Sequence, residues 1–198
     1  MHVPVIDFAA YDSEKPESLS QLGGEVETAL TVIGFMSITN LGIPAQMLRD
    51  LFSTSREFFA SSVEHKMKSA YLSASKNFGY QGLCQKHLDP QKSADLKETF
   101  AMRNVLNHSL DDDRWPSRQF RELMHEFFGT CLVGAYKVQR VLAAELNLEP
   151  EFFVRYHSGE NCTLRLLYCP DSGVDEVRES QLGAGAHTDY ALADAQDR

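Results

Sequence analysis

The sequence predicts an α+β fold in which helices fill the front of the chain and β structure begins only towards its end. Apolar residues recur every three or four positions along most of the chain before residue 147, as they do on one face of an α-helix. From residue 163 onwards they form short runs that end at a proline or follow small residues, a pattern typical of strands. The change of period marks the transition from helices to sheet.

The front of the chain begins with a strand, a helix and a second strand. Residues 3–8 form the first predicted strand, with Pro4 near its start, where a missing backbone N–H does least harm. Helical spacing of apolar residues predicts a helix over 18–33. Gly34 ends that helix, and residues 35–39 read as the second strand.

Two further helices and a loop are predicted next. Pro44 opens a helix whose predicted buried side consists of Met47, Leu48, Leu51, Phe52, Phe58 and Phe59. Ser62 caps a short helix that extends through Met67, with an acidic residue in its first turn. Residues 73–90 carry two glycines and many polar residues, and we predict a loop there.

The longest predicted helix covers 116–146, where apolar residues keep helical spacing for about eight turns. A metal site around His125 is the alternative, but core packing is the usual role of such an apolar face. A short helix is predicted at 149–157, then a strand at 163–169 and a second strand at 183–187.

The composition narrows the classes of function. The chain has 198 residues, with 28 acidic and 19 basic side chains and a formal net charge of −9. Nucleic acids and anionic membranes require a clustered basic surface, so neither is an expected partner. The sequence starts without a secretory signal and has no apolar run of membrane-spanning length, so the expected location is the cytoplasm. Four scattered cysteines without a Cys-x-x-Cys pair argue against structural zinc.

Two His-x-Asp triplets occur, and one of them is a credible metal site. His187 and Asp189 belong to a predicted strand, so their side chains project to the same side. An imidazole and a carboxylate on one face can hold one edge of a divalent metal, and a second histidine would complete a two-His-one-carboxylate triad with three open positions. The alternative is a solvated surface pair. His87 and Asp89 form the other triplet, which we assign to the polar loop.

Ordered motifs along nearly the whole chain resemble those of a known family. They lie at 3–8, 34–44, 58–59, 64–67, 79–80, 97–100, 115–116, 164–170 and 185–190. In this order they are similar to the motifs of the isopenicillin-N-synthase-like non-haem iron(II), 2-oxoglutarate-dependent oxygenases. The resemblance implies a helical N-terminal region over 1–115. It also implies that 116–198 contain the long helix and the first strands of a double-stranded β-helix, or jelly roll.

The resemblance also implies a chemistry and a set of site residues. His187 and Asp189 match the family's first two iron ligands, and the expected cofactors are Fe(II) and the cosubstrate 2-oxoglutarate. The expected partners are dioxygen and a small organic substrate, which is oxidised by hydroxylation or desaturation. Arg165 matches the arginine of the family's arginine-x-asparagine-x-tyrosine-proline strand. Leu167 and Cys169 stand where many members have the asparagine and the tyrosine.

The sequence departs from the family pattern after Asp189. Family members continue to a distal histidine and to an arginine-x-serine pair, whereas no histidine follows His187 here. We therefore expect a jelly roll that is incomplete at the C-terminus, with self-association through its uncovered sheet. Candidates for a third ligand are His108, His125 and His157. The alternative functions are a catalytically inactive remnant or pseudoenzyme that acts through binding and, last, an unrelated metal-dependent or structural α+β protein.

Overall fold

The computed structural model describes residues 2–83, 97–103, 105–107, 114–157 and 160–170. The helices are α1 (Pro16–Val32), α2 (Ala45–Ala60), α3 (Val63–Met67) and α4 (Arg118–Glu145), and the strands are β1 (Val5–Asp7), β2 (Ser37–Thr39), β3 (Phe78–Gln81), β4 (Glu98–Arg103) and β5 (Thr163–Tyr168). Short 3-10 helices cover Phe8–Ala10, Val105–Asn107 and Val154–Tyr156. None of the helices in these ranges combines the length and the apolar character that crossing a bilayer requires.

The four α-helices confirm four of the five helices predicted from the sequence. Pro16 stands in the first turn of α1, where its missing N–H costs nothing, and Gly34 follows the helix with φ of +81°, a conformation that suits glycine. Ser62 caps α3 by accepting a hydrogen bond from the His65 N–H at 3.2 Å. The predicted buried side of α2 was wrong at one position, because Phe52 is 46% exposed.

Helix α4 contains 28 residues, a length of about 42 Å, and it organises the described core. Ser117 caps it by accepting from the Phe120 N–H at 3.1 Å. Its N-terminal half packs with α2 and the larger sheet in an aromatic cluster, whereas Val141 in its C-terminal half packs with α1 and β1. The described core therefore continues across residue 115, and the division of the chain at that point stays a prediction.

The strands form two sheets. In the smaller one, β1 and β2 run parallel, with Ile6 opposite Ile38. In the larger one, β4 lies between β3 and β5 and pairs with both in antiparallel fashion. Phe100 at the centre of β4 is opposite Tyr80 in β3 and Leu166 in β5.

Strands β3 and β4 correct two expectations. Residues 78–81 lie within the segment predicted as loop, and both strands precede α4, so β structure does not begin only towards the end of the chain. Strand β3 is four residues long and contains a glycine, which leaves too little alternation to recognise. In β4, five of six residues are buried, so polar residues do not alternate with apolar ones. The α+β class itself is confirmed.

The C-terminal part of the described chain is less helical than expected. The helix predicted at 149–157 is a turn followed by the 3-10 helix Val154–Tyr156. Strand β5 confirms the strand predicted at 163–169. The strand predicted at 183–187 lies outside the described residues.

Candidate functional site

The larger sheet presents one face to the helices and the other away from them. Side chains alternate along β4, so Phe100 and Met102 enter the aromatic core beside α2 and α4. Thr99, Ala101 and Arg103 therefore lie on the opposite face. We call this surface the distal sheet face, and its residues are Gly79, Gln81, Thr99, Ala101, Arg103, Thr163, Arg165 and Leu167.

Strand β5 contains most of the motif at 164–170, and its register places Arg165 and Leu167 on the distal sheet face. Arg165 is opposite Ala101, and Leu167 is opposite Thr99. Arg165 is exposed, and Leu167 has 59% of its surface exposed, whereas Thr99 and Ala101 are buried at 1% each. The sheet thus places the Arg165 and Leu167 positions side by side over a floor of two small buried residues.

The polar groups at the edges of the face are mostly hydrogen-bonded within the sheet. The Asn77 side-chain amide donates to Thr163 Oγ1 at 3.2 Å, and Thr99 Oγ1 lies 3.4 Å from Gln81 Oε1, to which it donates. The Arg103 backbone N–H donates to the Asn77 carbonyl at 3.1 Å. The Arg103 Nε atom, in contrast, is buried and has no hydrogen-bond partner in the described part of the chain.

A buried ion pair on the opposite side of β4 fixes the strand. Lys66 donates to Glu98 Oε2 at 2.7 Å, and Tyr80 donates to the same oxygen at 2.5 Å. Burial raises the pKa of Tyr80 well above its usual range, and the neighbouring Glu98 carboxylate raises it further. The motifs at 64–67 and 97–100 contain both charged residues, but nothing in the sequence indicated that they form a pair.

The backbone conformation at Gly79 explains why the motif at 79–80 has a glycine before Tyr80. Its φ is +114°, and a Cβ atom there would lie 2.7 Å from the carbonyl oxygens of Ser69 and Ala70. Residues 69–72 pass so close because they bond to β3 through the Tyr80 N–H and the Tyr80 and Phe78 carbonyls. Only glycine allows both the conformation and the approach.

The predicted iron ligands His187 and Asp189 lie outside the described residues, as do His87, Asp89 and the candidate third ligand His108. An imidazole and a carboxylate suit Fe(II), so their assignment stays a prediction that rests on donor chemistry. Across the ranges that the structure describes, no three histidine, cysteine, aspartate or glutamate side chains are grouped to hold a metal.

Two of the candidates for a third ligand, His157 and His125, lie within the described residues, where each contacts a neighbouring residue. His157 follows the 3-10 helix, and its Nδ1 lies 2.7 Å from the Phe153 carbonyl oxygen. The His125 ring on α4 lies 5.9 Å from the Trp115 ring, centroid to centroid. The assignment of either histidine as a third ligand stays a prediction of the sequence.

Comparison with protein families identifies the class. Residues 3–126 match the family described as the non-haem dioxygenase in morphine synthesis, N-terminal. The match covers more than half of the chain, so the chain belongs to this family of non-haem dioxygenases. The resemblance to the non-haem iron(II), 2-oxoglutarate-dependent oxygenases is confirmed.

Individual relatives agree with this assignment. The chain is 28% identical over 202 residues to the 2-oxoglutarate-Fe(II) type oxidoreductase hxnY of Emericella nidulans, covering 94% of this chain and 58% of that protein. It is 27% identical over 198 residues to the proline hydroxylase buaE of Petromyces alliaceus, covering 96% of this chain and 62% of that protein. The chain thus spans about three fifths of the length of these relatives.

A solved structure shows the same fold. The crystal structure of a full-length Neurospora crassa protein in complex with alpha-KG superposes with a TM-score of 0.81 at 22% identity. The superposition covers 95% of this chain and 61% of the Neurospora crassa chain. At this level of identity the likeness establishes the fold.

Proposed function

We propose that this chain belongs to an Fe(II)- and 2-oxoglutarate-dependent oxygenase that oxidises a small organic substrate by hydroxylation or desaturation. The observation that carries the proposal is the family match over residues 3–126. The distal sheet face supports it, because Arg165 and Leu167 lie there at the positions that correspond to the family's arginine and asparagine. We further propose that β3, β4 and β5 belong to the family's jelly roll.

The proposed iron ligands are His187 and Asp189. Residues two apart on a strand project to one side, which lets an imidazole and a carboxylate bind one metal while other coordination positions stay open. When bound, Fe(II) and 2-oxoglutarate supply dioxygen activation coupled to oxidative decarboxylation of the cosubstrate.

The described residues contribute a surface for ligands. Thr99 and Ala101 are each only 1% exposed, so the described side chains that this face offers to a ligand include those of Arg165 and Leu167. Leu167 offers an apolar side chain where many members have asparagine, so it excludes water and donates no hydrogen bond to a bound ligand. In this chain the charged contact to a ligand on β5 therefore comes from Arg165.

An anaerobic titration with Fe(II) and 2-oxoglutarate tests the proposal. We expect the metal-to-ligand charge-transfer absorption of the Fe(II)–2-oxoglutarate complex, followed by formation of succinate when dioxygen is admitted. His187→Ala removes a proposed ligand and is expected to abolish both signals. His87→Ala changes the histidine of the other His-x-Asp triplet and serves as the matched control, with both signals retained.

The titration also distinguishes the proposed function from the alternative function. An absorption band that His187→Ala leaves unchanged shows that the metal is held elsewhere and overturns the proposed site. If no band and no succinate form, the inactive remnant or pseudoenzyme that acts through binding is the better interpretation. A cytoplasmic location, the division into 1–115 and 116–198 and self-association through an uncovered sheet stay predictions of the sequence.

A further inference from the structure

An open groove with a volume of about 560 Å³ lies between β1 and α1. Residues 4–6 line it on the strand side, and residues between Gln21 and Ile33 line it on the helix side. That stretch of helix is about 18 Å long, which is the length of five or six residues in extended conformation. The groove therefore matches the length of a short extended peptide.

Strand β1 turns one edge towards this groove. The Ser37 backbone N–H donates to the Pro4 carbonyl at 2.8 Å, and the parallel register places Ile6 opposite Ile38. The backbone groups of Pro4 and Ile6 therefore point towards β2, whereas those of Val5 point the other way, because these groups alternate along a strand. Within the ranges that the structure describes, no strand pairs with β1 on that other side.

The surroundings of this open edge suit a further strand. Pro4 has no N–H, but its position points to β2, so the open edge loses no donor. Val5 is 58% exposed, and Val32 on the helix side of the groove is 70% exposed. A Cβ atom at Gly24 would meet nothing within 4 Å, so the helix leaves room there. An added strand would pair with the Val5 backbone and cover both valines.

The charge of α1 indicates what kind of segment fits. Its acidic residues are Glu17, Glu25 and Glu27, and it contains no lysine or arginine. Glu25 lines the groove and is exposed. A second copy of this chain that paired its own β1 here would bring two acidic helices side by side, which charge repulsion disfavours. Lysine or arginine side chains would be attracted to Glu25 instead.

We propose that the groove between β1 and α1 binds an extended basic segment of a partner protein by strand addition to β1. Backbone hydrogen bonds to Val5 hold the segment in place, and its apolar side chains cover Val5 and Val32. Its lysine or arginine side chains lie near Glu25. This interaction goes beyond the proposed oxidation chemistry and requires neither of the proposed iron ligands.

Isothermal titration calorimetry with the full chain at low salt tests the site. The probe is an acetylated and amidated hexapeptide in which lysine and valine alternate, and the control peptide has glutamate in place of lysine. We expect the lysine peptide to bind, with an affinity that falls as salt is added, and the glutamate peptide not to bind. No binding of the lysine peptide, or equal binding of both peptides, overturns the proposal.

Two pairs of variants locate the binding surface. Glu25→Lys should weaken binding of the lysine peptide by about five-fold or more, whereas Glu27→Lys changes an exposed glutamate of the same helix outside the groove and should alter it less than about two-fold. Gly24→Leu fills the groove and should weaken binding by about ten-fold or more. Gly24→Ala leaves the groove open and should retain binding.

These variants keep the proposal falsifiable. Leucine and alanine favour a helix more than glycine does, so we expect both Gly24 variants to fold, as circular dichroism can verify. Equal affinities of the two Gly24 variants, or of the two glutamate variants, place the peptide elsewhere and overturn the proposal.

Backbone methylation of the probe distinguishes strand addition from charge attraction alone. One peptide carries N-methyl groups on its lysines and the other on its valines. Only one of these two sets of N–H groups can face β1, so one methylated peptide should lose binding and the other should retain it. Equal affinities for the two methylated peptides overturn the proposal.

Sedimentation velocity tests whether a second copy occupies the groove. A dimer that the lysine peptide dissociates and that Gly24→Leu abolishes would assign the groove to a second copy and overturn the proposal. Self-association that neither changes takes place at another surface and retains it.

Discussion

Lys66 Nζ lies 2.7 Å from Glu98 Oε2, and the two side chains are only 5% and 10% exposed. Lys66 also donates to the Phe59 carbonyl at 3.0 Å, and Tyr80 donates to Glu98. The ion pair therefore connects α3 with the end of α2 and with two strands of the larger sheet. It holds in place the strand whose other side carries Thr99, Ala101 and Arg103.

Removing one charge of this pair is expected to destabilise the fold strongly. Lys66→Met leaves the Glu98 carboxylate buried without a counter-ion, and we expect the free energy of unfolding to fall by about 3–5 kcal/mol. The double variant Lys66→Met/Glu98→Leu removes both charges and should be less destabilised than the single variant. Urea denaturation monitored by circular dichroism measures both.

An exposed pair provides the control for this prediction. Arg118 and Glu122 lie 2.7 Å apart on the surface of α4, with side chains 82% and 56% exposed. Arg118→Gln should leave the urea midpoint unchanged, because solvent screens such pairs. A Lys66→Met protein as stable as Arg118→Gln would show that the buried pair does not hold the sheet.

The close passage of residues 69–72 along β3 predicts a strong effect at Gly79. Gly79→Ala should lower the free energy of unfolding by about 3 kcal/mol or more, because its φ is +114° and the new Cβ meets backbone oxygens at 2.7 Å. Gly24→Ala is the matched control within α1, where a Cβ meets nothing within 4 Å. That variant should gain about 0.5–1 kcal/mol. Thermal or urea unfolding of the two proteins should shift in opposite directions, and a shift in the same direction contradicts the geometry.

Phe58 lies at the centre of the aromatic cluster between α2, α4 and the larger sheet. Its ring centroid is 5.3 Å from that of Phe100 and 5.5 Å from that of Phe120. Phe58→Ala should cost about 3–5 kcal/mol, because it opens a cavity in the core. Phe52→Ala changes an exposed phenylalanine of the same helix and should stay within about 0.5 kcal/mol. Urea denaturation measures the free energy of unfolding of both variants, and equal losses in the two would contradict this prediction.

The ion pair between Arg140 and Glu151 predicts a pH-dependent contribution to stability. The hydrogen bonds from Arg140 hold the pKa of the Glu151 carboxyl below its usual range. A lowered pKa in the folded state means that this stabilisation is present above the unfolded pKa of about 4.3 and is lost as the pH falls through the folded value. Because Glu151 is 46% exposed, we expect Glu151→Gln to cost no more than about 1 kcal/mol at pH 7.

Urea denaturation across pH checks this sign. The difference between the wild type and Glu151→Gln should be largest at pH 7 and should shrink below about pH 4, as the wild-type carboxyl becomes protonated. High salt at pH 7 should also reduce it. A difference that grows on acidification contradicts the assigned pKa direction.

The sequence determined the helices and the family. Helical spacing depends on neighbours three or four residues apart, so α1, α2 and α4 could be recognised from the chain alone. The motifs at 34–44 and 64–67 are also local, and the family match confirms the resemblance that they indicated. Which residues of a helix are buried is harder to predict from the sequence, as Phe52 shows, because burial depends on what the rest of the fold places against the helix.

The pairing of residues that are distant in sequence follows from the tertiary structure. Strand β3 has four residues, and five of the six residues of β4 are buried, so neither strand shows a clear alternation of polar and apolar side chains. The partnership of Lys66 and Glu98 spans 32 positions, and the position of Arg103 diagonal to Arg165 depends on the register of β4 against β5. Side-chain patterns report local periodicity, whereas strand register is fixed by the packing of the whole core. For this reason the sequence could name Arg165, but only the sheet could place Arg103 beside it.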